Sequence, residues 1–330
     1  MRAVNFPYKN SGDDLFNNRL FSYLQTQLTI TVDEITPIKN QVYLIKAGKR
    51  KFILKGFETY HRLVLQEMFI SALKNVGFEN TYSFYPLTKK PPLYFEHMYY
   101  GCLKFIESSK EEFSYDHHKK RVAGLELLSH FHFSTRRLVN RFHRIIPAFQ
   151  QIEKWQERAA IFFNNLPIVR SFIQKEMITE ILSWADWSLK GMLRESHLFN
   201  SGEKVILHGD VANHNFLRGK NNKLYLIDFD LISVGVPHID YLQYANRILP
   251  FMNWSLEELA NYEKIKPFLH EKGFIYALAY PTDIFREWNR AIKEGTYLHQ
   301  EKIQQLLELT VVSFKARQDF FQHLQKAIFV

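Results

Sequence analysis

The stretch VILHGDVANHNFL (Val205 to Leu217) places His208, Asp210, His214 and Asn215 straight after three aliphatic residues. A second acidic stretch, LIDFD (Leu226 to Asp230), follows the polar run RGKNNK (Arg218 to Lys223). Val205 to Leu207, Phe216 to Leu217 and Leu224 to Ile227 read as short apolar strands, with RGKNNK as the turn between the last two. Such a hairpin folds Asp228 back beside Asn215. An amide oxygen and a carboxylate then share one spot, which suits a hard cation such as Mg²⁺. Asp210, on the same loop as Asn215, is left to orient a hydroxyl and accept its proton as it attacks phosphorus. The histidines offer a different chemistry, with His208, His214 and Asp210 as zinc ligands. No fourth ligand stands at a suitable spacing and no cysteine is near, so zinc is the weaker reading. His208 is then expected to pack around the loop, while His214 has no assigned role and either faces solvent or supports the site from behind.

These residues need elements to carry them, and the chain has length for one large domain or two lobes at 330 residues. Its 29 Phe and 17 Tyr imply an aromatic-rich core. The net charge of +9 favours anionic partners, but it is dispersed. The densest run, Lys46 to Lys55, reads as a basic hairpin rather than a nucleic-acid arm, so charge alone supports nucleic-acid binding only weakly. Cys102 is the single cysteine, which excludes an intrachain disulfide and fits a reducing compartment. Met1 to Asp14 lacks the apolar region of a signal peptide, and no apolar run reaches the length of a membrane span. The expectation is a cytoplasmic protein that engages neither membrane nor nucleic acid.

Apolar residues at Leu15, Phe16, Leu20, Phe21 and Leu24 predict a helix over Asp13 to Thr29. Gln41 to Ala47 and Lys51 to Phe57 read as a β-hairpin around Gly48-Lys49-Arg50. Arg62 to Phe78 reads as a helix stopped at Gly77. TYSFYPLT (Thr81 to Thr88) and PPLYFEHMYYG (Pro91 to Gly101) read as strands. From about Lys104 the pattern turns helical, at His117 to Thr135, Gln150 to Phe163, Pro167 to Phe199 and Ser255 to Val330, with the strand island inside. The expected division is 1–100 for a small mixed lobe and 101–330 for a helical one.

The order His208-Gly209-Asp210, then Asn215, then Asp228 in IDFD, resembles the catalytic loop and metal motif of the protein-kinase-like superfamily, in its aminoglycoside phosphotransferase and choline kinase form. The resemblance implies an α+β bilobal protein-kinase-like fold, with a small antiparallel-sheet N-lobe and a mainly helical C-lobe. It implies ATP and Mg²⁺, Asp210 as base, and Asn215 and Asp228 as metal ligands. It also implies a strand lysine on the nucleotide phosphates, here Lys55, held by a glutamate of the next helix, here Glu67. Asp240 is expected to bond the catalytic-loop backbone or cap a helix, and Asp230 to add charge near the metal or face solvent. Glu96 to Tyr100 are expected to approach the adenine. One departure stands out. The stretch over the nucleotide, Ile35 to Lys46, has no glycine, whereas close backbone approach to phosphate favours it.

Within the superfamily the chain looks most like the bacterial spore-coat CotS branch. Two functions follow. One is an ATP- and Mg²⁺-dependent phosphotransferase acting on a hydroxyl of an unidentified small molecule. The other is a catalytically weak kinase-fold structural protein of the spore coat, with other coat proteins as partners.

Overall fold

A computed structural model describes residues 11–328 of the chain. Most of Met1 to Asp14, where no signal peptide was expected, lies outside the described residues. In chain order the elements begin with α1 (Ser11–Gln27), β1 (Glu34–Lys39), β2 (Val42–Ala47), β3 (Arg50–Phe57), α2 (Tyr60–Asn75), β4 (Leu93–Phe95) and β5 (Met98–Lys104). Then come α3 (His118–Arg136), α4 (Val139–Phe142), α5 (Gln151–Asn164), α6 (Leu166–Val169), α7 (Lys175–Arg194) and α8 (His197–Asn200). The strand island supplies β6 (Val205–Leu207), β7 (Phe216–Arg218), β8 (Leu224–Leu226) and β9 (Ser233–Gly235). The chain ends in α9 (His238–Ile248), α10 (Leu256–Leu259), α11 (Lys272–Leu278), α12 (Thr282–Lys293), α13 (Gln300–Leu307) and α14 (Phe314–Ile328). A small antiparallel sheet followed by a mainly helical part is the α+β arrangement the sequence predicts.

The chain divides into two compact units. One is the chain up to Phe113 together with His214–Asp230, and the other is Ser114–Asn213 with Leu231 onward. The expected break after residue 100 falls inside β5, because that strand carries its buried residues Tyr100, Cys102 and Leu103 across it. The hairpin β7–β8 also belongs to the first unit, although it lies far along the chain.

In the first unit the sheet order is β1-β2-β3-β5-β4, antiparallel throughout. Period-2 alternation explains its two faces. Phe52 and Leu54 of β3 turn into a core with Tyr43, Ile45, Leu20 and Leu24, so α1 covers one face. Lys55, next along β3, points the other way. The two turns at either end of β2 have two residues each. Ala47 pairs with Arg50 around Gly48-Lys49, one residue tighter than expected, and Lys39 pairs with Val42 around Asn40-Gln41. Thr59 caps α2 by accepting from the Arg62 amide at 3.3 Å, and Gly77, at φ 96°, lets the chain turn out of it.

Two strand expectations need correction. Thr81 to Thr88 forms no strand, only isolated bridges of Phe84 to Leu103 and Thr88 to Leu28. Pro86 lies between them and cannot donate to a ladder. Pro91 to Gly101 is not one strand but the hairpin β4–β5, turned at Glu96 and His97 with φ of 43° and 65°. The residues expected to approach the adenine therefore form that reverse turn and the start of β5.

In the second unit β6 pairs with β9 from Val205–Gly235 to Leu207–Ser233, and β9 was not anticipated. Aromatic stacking joins α5 to α12 and to Tyr280 just before it. Trp155 lies 4.2 Å from Tyr280 and Phe162 lies 4.2 Å from Phe285, centroid to centroid. Helix α12 buries Ile284, Phe285, Trp288 and Ala291, a 3–4 spacing that turns Arg286 and Glu287 to its other side. Helices α7 and α11 approach so closely at Gly191 that a Cβ there would fall 2.0 Å from Tyr276 Cδ1.

Candidate functional site

Lys55 is the centre of the first unit's polar cluster. It is only 7% exposed, on a strand flanked by β2 and β5. Its Nζ donates to Asp228 Oδ1 at 2.9 Å and to Asp230 Oδ1 at 2.8 Å. A buried ammonium needs such partners, because the desolvation of an unpaired charge costs several kcal/mol. Asp228 holds a second ammonium as well, with Lys39 Nζ donating to its Oδ2 at 2.8 Å. Lys39 is the last residue of β1, so the hairpin turn without glycine brings a lysine where a glycine loop was missed.

Asp228 sits where the sequence predicts. The register of β7 with β8 pairs Phe216 with Leu226, and one step further the Ile227 amide donates to the Asn215 carbonyl at 3.0 Å. Asn215 is 2% exposed, and Asp228 follows Ile227 with φ of 70°, a left-handed turn that few non-glycine residues adopt. Burial works to raise the Asp228 pKa, but Lys55 and Lys39 outweigh it and hold the carboxyl well below its usual range. Phe229 anchors the turn edge-on against Phe69, at 5.6 Å, and tilted against Tyr82, at 6.0 Å.

Donor chemistry fits the cation expected here. An amide and an ionised carboxylate are hard oxygen donors. Among the described residues no group of three His, Cys, Asp or Glu side chains could hold a metal by itself.

Glu67 is not the partner of Lys55. Most of the residue is exposed on α2, although partial burial of the carboxyl itself raises its pKa. The residue before it, Gln66, is 5% exposed and turned inward. Its Nε2 donates to Asp230 Oδ1, and its Oε1 accepts from Tyr82 Oη at 3.1 Å. One residue is about 100° of helix, so this phase difference moves the helix contact from Glu67 to Gln66. Lys55 then takes its negative charge from Asp228 and Asp230 instead.

Asp210 lies in the second unit, on the loop after β6. A buried carboxylate shapes that loop. Asp240, fully buried on α9, accepts from the His208 amide at 2.8 Å, the Gly209 amide at 3.1 Å and His132 Nε2 at 2.8 Å. Burial alone would raise its pKa, but these donors lower it. Asp240 is thus the loop-backbone anchor the sequence predicts. Gly209 has φ of 79°, and a Cβ there would lie 2.2 Å from the Leu231 carbonyl oxygen, so only glycine fits. His208 is buried, and its Nδ1 accepts from the Asp210 amide at 3.3 Å, whereas His214 is exposed. Asp210 itself is half-buried, with Arg247 Nη2 at 3.3 Å from its Oδ1.

Sequence reasoning missed Lys39, Gln66 and Arg247. Lys39 had a signal, since it lies within the glycine-free stretch Ile35 to Lys46. Arg247 lies 37 residues from its carboxylate partner, and nothing local links them.

Comparison with known proteins agrees with this fold. Residues 124–268 match the phosphotransferase enzyme family. An aminoglycoside phosphotransferase from Alicyclobacillus acidocaldarius superposes with a TM-score of 0.70 at 13% identity, covering 92% of this chain and 95% of its own. A putative aminoglycoside phosphotransferase from Ralstonia eutropha gives 0.60 at 11% identity, covering 94% and 98%. A spectinomycin phosphotransferase, in complex with ADP and spectinomycin, gives 0.57 at 15% identity, covering 95% and 97%. No curated protein matches the sequence. The chain shares the fold of these structures.

Proposed function

We propose that the chain is an ATP-dependent phosphotransferase acting on a hydroxyl of a small molecule. The observation that carries this is the cluster in which a buried Lys55 bridges Asp228 and Asp230 while Asn215 lies beside Asp228 in the hairpin register. Support comes from the family match over 124–268 and from a structural neighbour that holds ADP and spectinomycin.

In this reading Asp210 orients the acceptor hydroxyl and takes its proton. The hydroxyl oxygen forms a bond to the γ-phosphorus as the bond from that phosphorus to the β–γ bridging oxygen breaks, leaving ADP. Lys55 binds the nucleotide phosphates, and Asp230 with Gln66 fixes its position. Mg²⁺, held by Asn215 and Asp228, would neutralise charge on those phosphates when bound. Arg247 holds the Asp210 carboxylate in place. The enzyme would work where ATP is found, in the cytoplasm. Among the described residues no helix is long and apolar enough to cross a membrane.

A second reading is a catalytically weak, structural kinase-fold protein of the spore coat. The Asn40-Gln41 turn without glycine favours it, as does the occupation of both Asp228 oxygens by lysines. Thermal unfolding with millimolar ATP, with and without Mg²⁺, separates the two, because a ligand of the folded state raises the midpoint by mass action. The kinase reading expects a Mg²⁺-dependent rise that Asp228→Ala abolishes. No rise at millimolar nucleotide refutes it in favour of the structural reading.

A further inference from the structure

The register of β1 against β2 slips by one residue between Pro37 and Lys39. Pro37 pairs with Tyr43 and Lys39 with Val42, and Ile38 between them has no opposite residue. Facing residues of neighbouring strands share a face, so the slip decides where Lys39 points. An even register would set Ile38 opposite Val42 and turn Lys39 to the face of Tyr43, which α1 covers. With the slip, Lys39 stands opposite Val42, and Val42 stands opposite Lys55. Lys39 and Lys55 therefore project from one face in one row, with a single strand between them, about 10 Å apart at the backbone. Their ammonium groups converge on the two oxygens of Asp228, Lys55 on Oδ1 and Lys39 on Oδ2.

The two lysines are held differently. The Lys55 side chain is 9% exposed and has Asp230 as a second partner, whereas that of Lys39 is 53% exposed. An ion pair in contact with water is worth little, while a buried ammonium stripped of its partner is costly. Lys39 is therefore the one free to leave Asp228. The turn that carries it is fixed by other contacts. The Gln41 carbonyl accepts from the Gly56 amide at 2.8 Å, and Gln41 Oε1 accepts from Tyr100 Oη at 2.9 Å. A Cβ at Gly56 would stand 3.0 Å from Gln41 Cβ, so the turn lies tight against β3. Side chains on both turn residues keep its backbone from approaching phosphate as a glycine loop does. The lysine side chain can move while the turn stays in place.

We infer that Lys39 is a displaceable counter-cation and phosphate ligand: it neutralises Asp228 Oδ2 in the metal-free protein and passes to the terminal phosphates of the nucleotide when a divalent cation binds at Asn215 and Asp228. This rests on the phosphotransferase reading and adds a residue to its nucleotide site. An ammonium and a divalent cation repel each other across one carboxylate oxygen, so the two hold Oδ2 in alternation. The exposed side chain then brings to the phosphates the positive charge that a glycine loop brings with its amides. The lysine on Oδ2 is the resting arrangement of a working site rather than the mark of a decayed one.

The test uses the full chain at fixed ionic strength, as wild type, Lys39→Met and Lys39→Arg, with Mn²⁺ as the metal probe. Without nucleotide, electron paramagnetic resonance of free Mn²⁺ should show Lys39→Met binding the ion about tenfold or more tightly than wild type, and Asp228→Asn losing that site. With saturating Mg²⁺, calorimetric titration should show Lys39→Met binding ATP about tenfold or more weakly, and AMP, which lacks the terminal phosphates, within about twofold of wild type. Lys39→Arg keeps the charge and should stay within about threefold of wild type in both arms. A Mn²⁺ affinity that Lys39→Met leaves unchanged overturns the inference, as does an unchanged ATP affinity. An equal loss for ATP and AMP also overturns it, because the role of Lys39 is then structural. Mn²⁺ bound by Asp228→Asn as tightly as by wild type overturns it too, because the ion then sits elsewhere. The failure of the broader reading looks different. Wild type that takes Mn²⁺ through Asp228 but binds neither nucleotide refutes the phosphotransferase reading, and with it the passage of Lys39 to phosphate. Intact ATP binding beside an unmoved Mn²⁺ affinity refutes only the role of Lys39.

Discussion

Asp240→Asn is the sharpest test of how the Asp210 loop is built. The wild-type carboxylate is fully buried and accepts from two backbone amides and from His132. Asparagine keeps the shape but offers one acceptor oxygen and points an NH₂ at groups that are themselves donors. Hydrogen bonds to a buried charge are worth about 1.5–3 kcal/mol each, and breaking such a buried network typically costs about 3–5 kcal/mol. A loss of about 4 kcal/mol, at roughly 2–4 °C per kcal/mol for a unit of this size, lowers the melting midpoint by roughly 8–16 °C. Differential scanning calorimetry at neutral pH measures it, and hydrogen exchange locates it at the His208 and Gly209 amides, which should lose protection. The acid limb carries a sign of its own. The Asp240 pKa is lower folded than unfolded, so its contribution is present above the unfolded pKa of about 3.9 and disappears as pH falls through the folded value. A midpoint drop under about 2 °C, or unchanged exchange at both amides, would refute the anchoring role.

Three further substitutions probe other parts of the structure. Lys55→Met leaves Asp228 and Asp230 without their shared ammonium; a loss of about 2 kcal/mol in urea unfolding is expected, moderated by the solvent exposure of Asp230, together with loss of the Mg²⁺-ATP shift. Gly191→Ala forces a methyl into the ring of Tyr276, so overpacking should cost about 1–3 kcal/mol by denaturant titration, and adding Tyr276→Leu should recover part of it. His238 is buried and its pKa is lowered to about 4 by desolvation, so it stays neutral in the fold while the unfolded chain takes up a proton. Stability should then decline as pH falls from about 6.5 towards 4, by at most about 3 kcal/mol, and His238→Phe should flatten that decline in pH-dependent melting.

The parts of the site that were legible in the sequence are those whose geometry is local. The turn Arg218–Lys223 and the aliphatic residues on either side suffice to pair β7 with β8, and pairing alone carries Asp228 to Asn215. The β2–β3 hairpin and α2 were readable for the same reason, since strand alternation and the Gly77 stop are written in neighbouring residues. What sequence could not supply was phase and long-range packing. Glu67 and Gln66 are equally plausible by type, and only the rotation of α2 on β3 decides between them. β9 is three residues long and was not recognised before its pairing with β6 was seen. Arg247 comes from α9, and only the packing of that helix brings it to the Asp210 carboxylate.

The discontinuity of the first unit has a consequence for synthesis. Its β7–β8 hairpin, with Asp228, Phe229 and Asp230, is made only after Ser114–Asn213 has been translated. At about 5–20 residues per second that intervening segment takes roughly 5–20 s. For that interval Lys55 has been made but its two carboxylate partners have not, and Phe69 and Tyr82 lack the ring of Phe229. An N-terminal fragment ending at Phe113 would remain in that state permanently, with a buried ammonium lacking its counter-charges and an uncovered aromatic face that invites aggregation. The chain must therefore finish its first unit late, which makes residues 214–230 the segment on which its maturation waits.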